Sequence, residues 1–149
     1  LVRHVQKTRA ESAAAAFLER LHAAQQAFRA THRDAGYASS FDSLAALCPG
    51  PAQTRALPVG PRDVAGYDAS LRPAVGAISG ALDCHGRPLS SDYYAALSPS
   101  DGTVGQQAFA ITGTGRIFVF FDGIAPVERD MTADGLATPI EALDTFKIP

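Results

Sequence analysis

Cys48 and Cys84 carry the only thiols in this chain. They lack CxxC spacing, and joined they would close a loop of about 35 residues. Their types alone leave three chemistries open: a disulfide, two buried free thiols, or metal ligation together with His85. The four histidines are His4, His22, His32 and His85, and they form no metal pattern. The first three are spaced too widely along one helical stretch to converge on an ion. Nucleophilic catalysis has no better basis: there is no GxSxG elbow, and Asp83, His85 and Ser90 form a triad only on paper. Gly113-Thr114-Gly115 lacks a phosphate-loop lysine and reads as a turn. Asp122, Asp130 and Asp134 bracket a late loop, but their spacing departs from the alternating ligands of a Ca²⁺ loop, so solvated turn carboxylates are expected there. Tyr67, Tyr93 and Tyr94 have no clustered Lys or Arg around them, which points to packing and not to base stacking. No enzyme, cofactor or metal is expected.

These residues must be positioned by elements that the patterning marks out. From Leu1 to Asp34 there is no Gly or Pro, and Ala, Gln, Arg and Glu dominate. Ala10, Ala13, Ala14, Phe17, Leu21, Ala24 and Phe28 recur in steps of three and four, one stripe of a helix. Arg9, Glu11, Glu19, Arg20, Gln26 and Arg33 suit its wet side. Such a helix is about 50 Å long, more than a domain of this size needs. Gly36 is expected to end it in a left-handed turn. A short second helix follows on Phe41, Leu44 and Leu47, capped by Ser39 or Ser40 and stopped by Pro49-Gly50-Pro51. Residues 52 to 68 read as a Pro- and Gly-rich loop. Asp68 is placed to cap a third helix over Ala69 to Ile78.

Beyond Gly86 the period falls to two. Strands are expected at Asp92 to Leu97, Ala108 to Thr112 and Arg116 to Asp122, the last two forming a hairpin through Gly113-Thr114-Gly115. Ile117 to Phe121 is apolar on both faces and belongs mid-sheet. Val127-Glu128-Arg129 suggests a short edge strand, and Ile140 to Phe146 another helix. The fold class expected is therefore α+β: a long N-terminal helix packed on a small antiparallel sheet of three to four strands. It forms a single domain over 1–149, divided into helix (1–35), helix and loop connection (36–88), and sheet with tail (89–149).

The bulk composition agrees with one folded domain. Of 149 residues, 46% are hydrophobic and 19% charged, which excludes a disordered tail. A net charge of −2 argues against nucleic acid as a main ligand. The charge is uneven: Arg3, Lys7, Arg9, Arg20, Arg29 and Arg33 outnumber Glu11, Glu19 and Asp34 in the helical stretch, so the rest is acidic. No run of about 18 apolar residues is present. The helical pattern begins at Leu1 without a Met or a cap, and the natural chain is expected to extend upstream.

Two stretches carry a resemblance. Thr8-Arg9-Ala10-Glu11-Ser12-Ala13 through Ala24-Gln25-Gln26-Ala27-Phe28 to Gly36-Tyr37-Ala38-Ser39-Ser40-Phe41-Asp42-Ser43-Leu44 resembles the long helix and following Gly-Tyr turn of type IV pilins and type II secretion pseudopilins. Gln107-Ala108-Phe109-Ala110-Ile111, with Gly115 through Gly123, resembles that family's final strands. The family's cleavage site, membrane half-helix and Glu near the mature N-terminus are not in this sequence, as in a soluble ectodomain. The resemblance implies a filament subunit, anchored in the inner membrane before assembly and then periplasmic or extracellular. Its implied partners are copies of itself, other pilins or pseudopilins, and an inner-membrane assembly platform. The expected assembly face of the helix is Val2, Val5, Ala10, Ala13 and Phe17. The export context implied favours a Cys48–Cys84 disulfide, and some pseudopilins hold Ca²⁺ in a region comparable to Asp122, Asp130 and Asp134. A minor pilin or exported binding module that captures DNA or a surface ligand is the rival reading. It requires an exposed apolar or basic patch on the globule.

Overall fold

A computed structural model describes residues 2–32, 35–46, 64, 66–78, 80–100, 107–120, 125–131 and 138–139, with side chains in the first helix from residue 12 onward. Helix α1 runs Val2–Thr31, 30 residues, or about 45 Å at roughly 1.5 Å per residue. A short strand, β1 (Tyr37–Ala38), leads into α2 (Phe41–Ala45). Ser40 caps α2 by accepting the Ser43 N–H at 3.1 Å, the local chemistry that its position before Phe41 foretold. Then come β2 (Tyr67–Pro73), β3 (Leu89–Ser90), β4 (Tyr93–Pro99), β5 (Ala108–Thr112), β6 (Ile117–Phe120), a 3-10 turn at Glu128–Asp130, and β7 (Thr138–Pro139).

The expected architecture of a long helix on a small sheet is corrected by this topology. The dominant element is a five-stranded antiparallel sheet, ordered β2-β4-β5-β6-β7, accompanied by a separate two-stranded ribbon of β1 and β3. Two local readings caused the undercount. Of the stretch assigned to a third helix at 69–78, residues 69–73 belong instead to β2, paired with β4 from Tyr67↔Pro99 to Pro73↔Tyr93, and the rest is turn and irregular chain. Its short run fits period two as well as period 3.6, and pairing with β4 decides between them. The ribbon was overlooked because two-residue strands carry no periodicity. Sheet residues therefore begin well before 89, inside the segment read as a connection. Val127-Glu128-Arg129, read as an edge strand, enters the 3-10 turn instead.

Odd-numbered residues of β4, β5 and β6 face α1. Phe17, Leu18, Leu21, Ala24 and Phe28 from the helix meet Tyr93, Ala95, Leu97, Phe109, Ile111, Ile117 and Val119 in one buried core. Of the stripe read from sequence, Ala14, Phe17, Leu21, Ala24 and Phe28 are buried in this core, whereas Ala13 is exposed. Removing such side chains from water contributes about 1.5–3 kcal/mol each and is what holds α1 to the sheet. The other sheet face buries Ala74, Tyr94, Ala96 and Ala110, with Ala125 and Met131 packed against them. Thus both faces are covered, as the apolar run in β6 requires.

Gly36 does not take the left-handed turn expected of it. A Cβ there would stand 2.9 Å from the Leu89 Cβ and the Ser90 carbonyl, so the residue is small to let β3 approach. Its role is contact, not conformation. Gly115 is the turn glycine, at φ 80°, closing the β5–β6 hairpin predicted at 113–115. The expected helix at 140–146 and most of the loop at 52–68 lie outside the described residues.

Candidate functional site

Helix α1 is the element with two distinct faces. Its inner face is the core stripe. On its outer face Ala13, Ala16, Ala23, Ala27 and Ala30 are exposed, together with Ser12, Glu19, Arg20 and Gln26. The five alanines recur at steps of three, seven, four and three, so they line one side of the rod, interrupted by Arg20. Val2 and Val5 continue the same spacing towards the N-terminus. A water-facing helix side is ordinarily paved with long charged residues; this one is paved with methyl groups, over which a second helix can approach closely.

The expected assembly residues divide accordingly. Ala13 is exposed on the outer face, whereas Phe17 is fully buried and belongs to the protein's own core. Phe17 is therefore not available to a neighbour. Val2, Val5 and Ala10 lie within α1, with their side chains outside the description.

Where α1 crosses the sheet, buried polar groups lock its rotation. Gln25, fully buried, donates from Nε2 to the Ala38 carbonyl and accepts the Ala38 N–H at Oε1, both at 2.9 Å. One side chain thus stands in for a strand partner of β1. One turn earlier, His22 Nδ1 lies 2.6 Å from the Tyr93 hydroxyl. Burial lowers the pKa of His22 and raises that of Tyr93, so both are neutral near pH 7. Tyr93 also meets Tyr37 edge-on at 5.1 Å, and Arg29 lies 5.3 Å from the Tyr37 ring. The Asp92 carboxylate accepts the N–H groups of Tyr93 and Gly113, each at 2.8 Å. In this cluster the imidazole is held by the phenol and the carboxylate by the backbone. It positions the helix on the sheet.

A second clasp holds the other face. Arg72 forms a forked ion pair with Glu128, both bonds 2.8 Å, while its guanidinium stacks 4.0 Å from the Tyr94 ring centroid. Tyr94 Oη donates to the Pro126 carbonyl at 2.6 Å. Hydrogen bonding from Arg72, reinforced by the Val75 N–H, holds the Glu128 carboxyl at about 2, far below the usual carboxylate range. Desolvation pushes the Tyr94 phenol up to about 12. Nothing in the sequence announced this pairing across 56 positions.

The remaining candidates are placed as follows. Cys84 is disulfide-bonded, and Cys48 lies outside the described residues. Asp83 Oδ1 accepts the backbone N–H groups of His85 and Arg87, each at 2.8 Å, a turn that presents the disulfide. Ser90 Oγ donates to the Asp92 carbonyl, so Asp83, His85 and Ser90 do not assemble as a triad. Asp130 accepts the Val127 N–H at 3.3 Å and closes the 3-10 turn; Asp122 and Asp134 lie outside the described residues. Tyr67, Tyr93 and Tyr94 are all buried. Among the described residues no group of three or more His, Cys, Asp or Glu could hold a metal ion, and no helix is long and apolar enough to cross a membrane.

One apolar surface stands out on the globule. From Pro73 to Leu82 the sequence has no charged residue, and Val75, Ile78 and Leu82 are 80%, 76% and 64% exposed. Compared with protein-family models, curated proteins and solved structures, the chain matches none.

Proposed function

We propose that this chain is a structural subunit of a type IV pilus or a related type II secretion filament, polymerising through α1. The observation that supports it most is the alanine-lined outer face of that helix, which Val2 and Val5 extend by spacing. Its inner face is already filled by the sheet, so the outer face is free to meet neighbouring helices. The resemblance in the helix and final strands points the same way. Partners on this reading are copies of the same chain, other pilins or pseudopilins, and the inner-membrane assembly platform. The subunit is anchored in the inner membrane before it enters a periplasmic or extracellular filament. The coding sequence upstream of Leu1 tests this. A short basic leader ending in Gly, followed by about 20 apolar residues with a Glu near their start, supports it. An ordinary cleavable signal peptide there contradicts it.

A second reading is favoured by the apolar loop at Val75, Ile78 and Leu82. There the chain is a minor pilin or exported binding module that captures DNA or a surface ligand through the globule. Ile78→Asp then abolishes capture and leaves assembly intact. Under the first reading Ile78→Asp changes neither.

A further inference from the structure

Strand β2 is one edge of the five-stranded sheet, and among the described residues it pairs with β4 alone. Two bonds bracket this ladder: Ser100 N–H to the Gly66 carbonyl at 2.8 Å, and Ala74 N–H to the Asp92 carbonyl at 3.2 Å. In an antiparallel pair they fix the even-numbered residues of β2 as those bonded to β4. The N–H and C=O groups of Tyr67, Ala69, Leu71 and Pro73 therefore point off the sheet. At both ends they are engaged. The Tyr67 N–H donates to the Val64 carbonyl at 3.2 Å, and Pro73 has no N–H, while its carbonyl accepts Arg72 Nη1 at 3.0 Å. What the edge offers is Ala69 and Leu71, a short template for another strand.

These two residues match each other about a twofold axis through Ser70. In that antiparallel register Ala69 stands opposite Leu71 of a second copy, and each pair exchanges both N–H···O bonds. Asp68 then stands opposite Arg72 of the second copy, in the close pairing where side chains meet. Asp68 and Ser70 are exposed, and the Arg72 side chain is 40% exposed beside Glu128. A parallel, in-register pairing would set Asp68 on Asp68 and Arg72 on Arg72. A one-residue slip would aim the edge groups at residues whose own bonds run to β4. Geometry and charge select the same register.

We propose that the β2 edge is a self-recognition surface, through which two copies of this chain join Ala69 to Leu71 and Asp68 to Arg72 in a continuous sheet. This surface is separate from the outer face of α1, and neither reading depends on the other. It is tested by Ser70→Cys, because the register brings the two introduced thiols directly opposite each other, within disulfide range. Under mild oxidant the folded variant is expected to give a covalent dimer much faster than Val75→Cys, an exposed control away from the edge. Equal, slow cross-linking of the two overturns the proposal. Sedimentation of the unmodified chain gives a second reading: a reversible dimer weakened about tenfold by Asp68→Lys supports it. A monomer up to about 1 mM, or a dimer indifferent to Asp68→Lys, overturns it, and a strand supplied only by another protein is then the occupant.

Discussion

Replacing Gln25 with Leu isolates the bond that ties α1 to β1. The side chain is fully buried, its volume is nearly conserved, and Ala38, its partner, is fully buried too. The variant leaves the Ala38 N–H and C=O without the contacts that Gln25 makes at 2.9 Å. Each stranded buried group costs about 1–3 kcal/mol, while the added apolar burial returns about 1 kcal/mol. The expected net loss is about 2–4 kcal/mol, which for a chain of this size lowers Tm by roughly 6–12 °C. Urea unfolding should show a lower midpoint with an unchanged m-value. Native-state hydrogen exchange should show the Ala38 amide opening locally. Gln26→Leu, on the exposed side of the same turn, serves as control and should change little. A Gln25→Leu melt within 1–2 °C of the parent would refute the argument that this side chain acts as a strand partner.

Three further expectations follow from the polar contacts. The Glu128 carboxyl, held at about 2, lends stability that is complete above its ordinary value near 4.5 and is lost as pH falls from there towards 2. Allowing for solvent around Arg72 this is about 1–2 kcal/mol, and Glu128→Gln should remove the acid dependence. His22 is lowered by burial, so stability should hold above about pH 6.5 and decline below it; His22→Gln should flatten that limb of a pH–stability curve. Gly115→Ala, at φ 80° with its Cβ position 2.8 Å from His22 Nε2, should cost about 1–3 kcal/mol by calorimetry.

Much of this arrangement was readable wherever a regular period met a capping residue. The stripe at Phe17, Leu21, Ala24 and Phe28, the Ser40 cap and the hairpin at 113–115 are local signals, and each has a physical counterpart in the fold. Long-range pairing was not readable. Tyr67 to Pro73 becomes a strand because β4 pairs with it, and Arg72 finds Glu128 only once the sheet exists. Gln25 looked like one more polar helical residue, although its place beside Leu21 and Ala24 on the inner face could have flagged it. Phe17 shows the reverse error: an apolar helix residue assigned to a neighbour is buried by its own sheet.

The central claim is that α1 assembles copies of this chain through its outer face. Ala23→Cys places a thiol on that face without touching the core. In the natural protein, expressed in its own cells and oxidised, assembly through α1 predicts a covalent dimer at Ala23→Cys that forms much faster than at Val75→Cys, an exposed position away from α1. A protein that stays monomeric at Ala23→Cys, in cells where it is abundant, would contradict the claim.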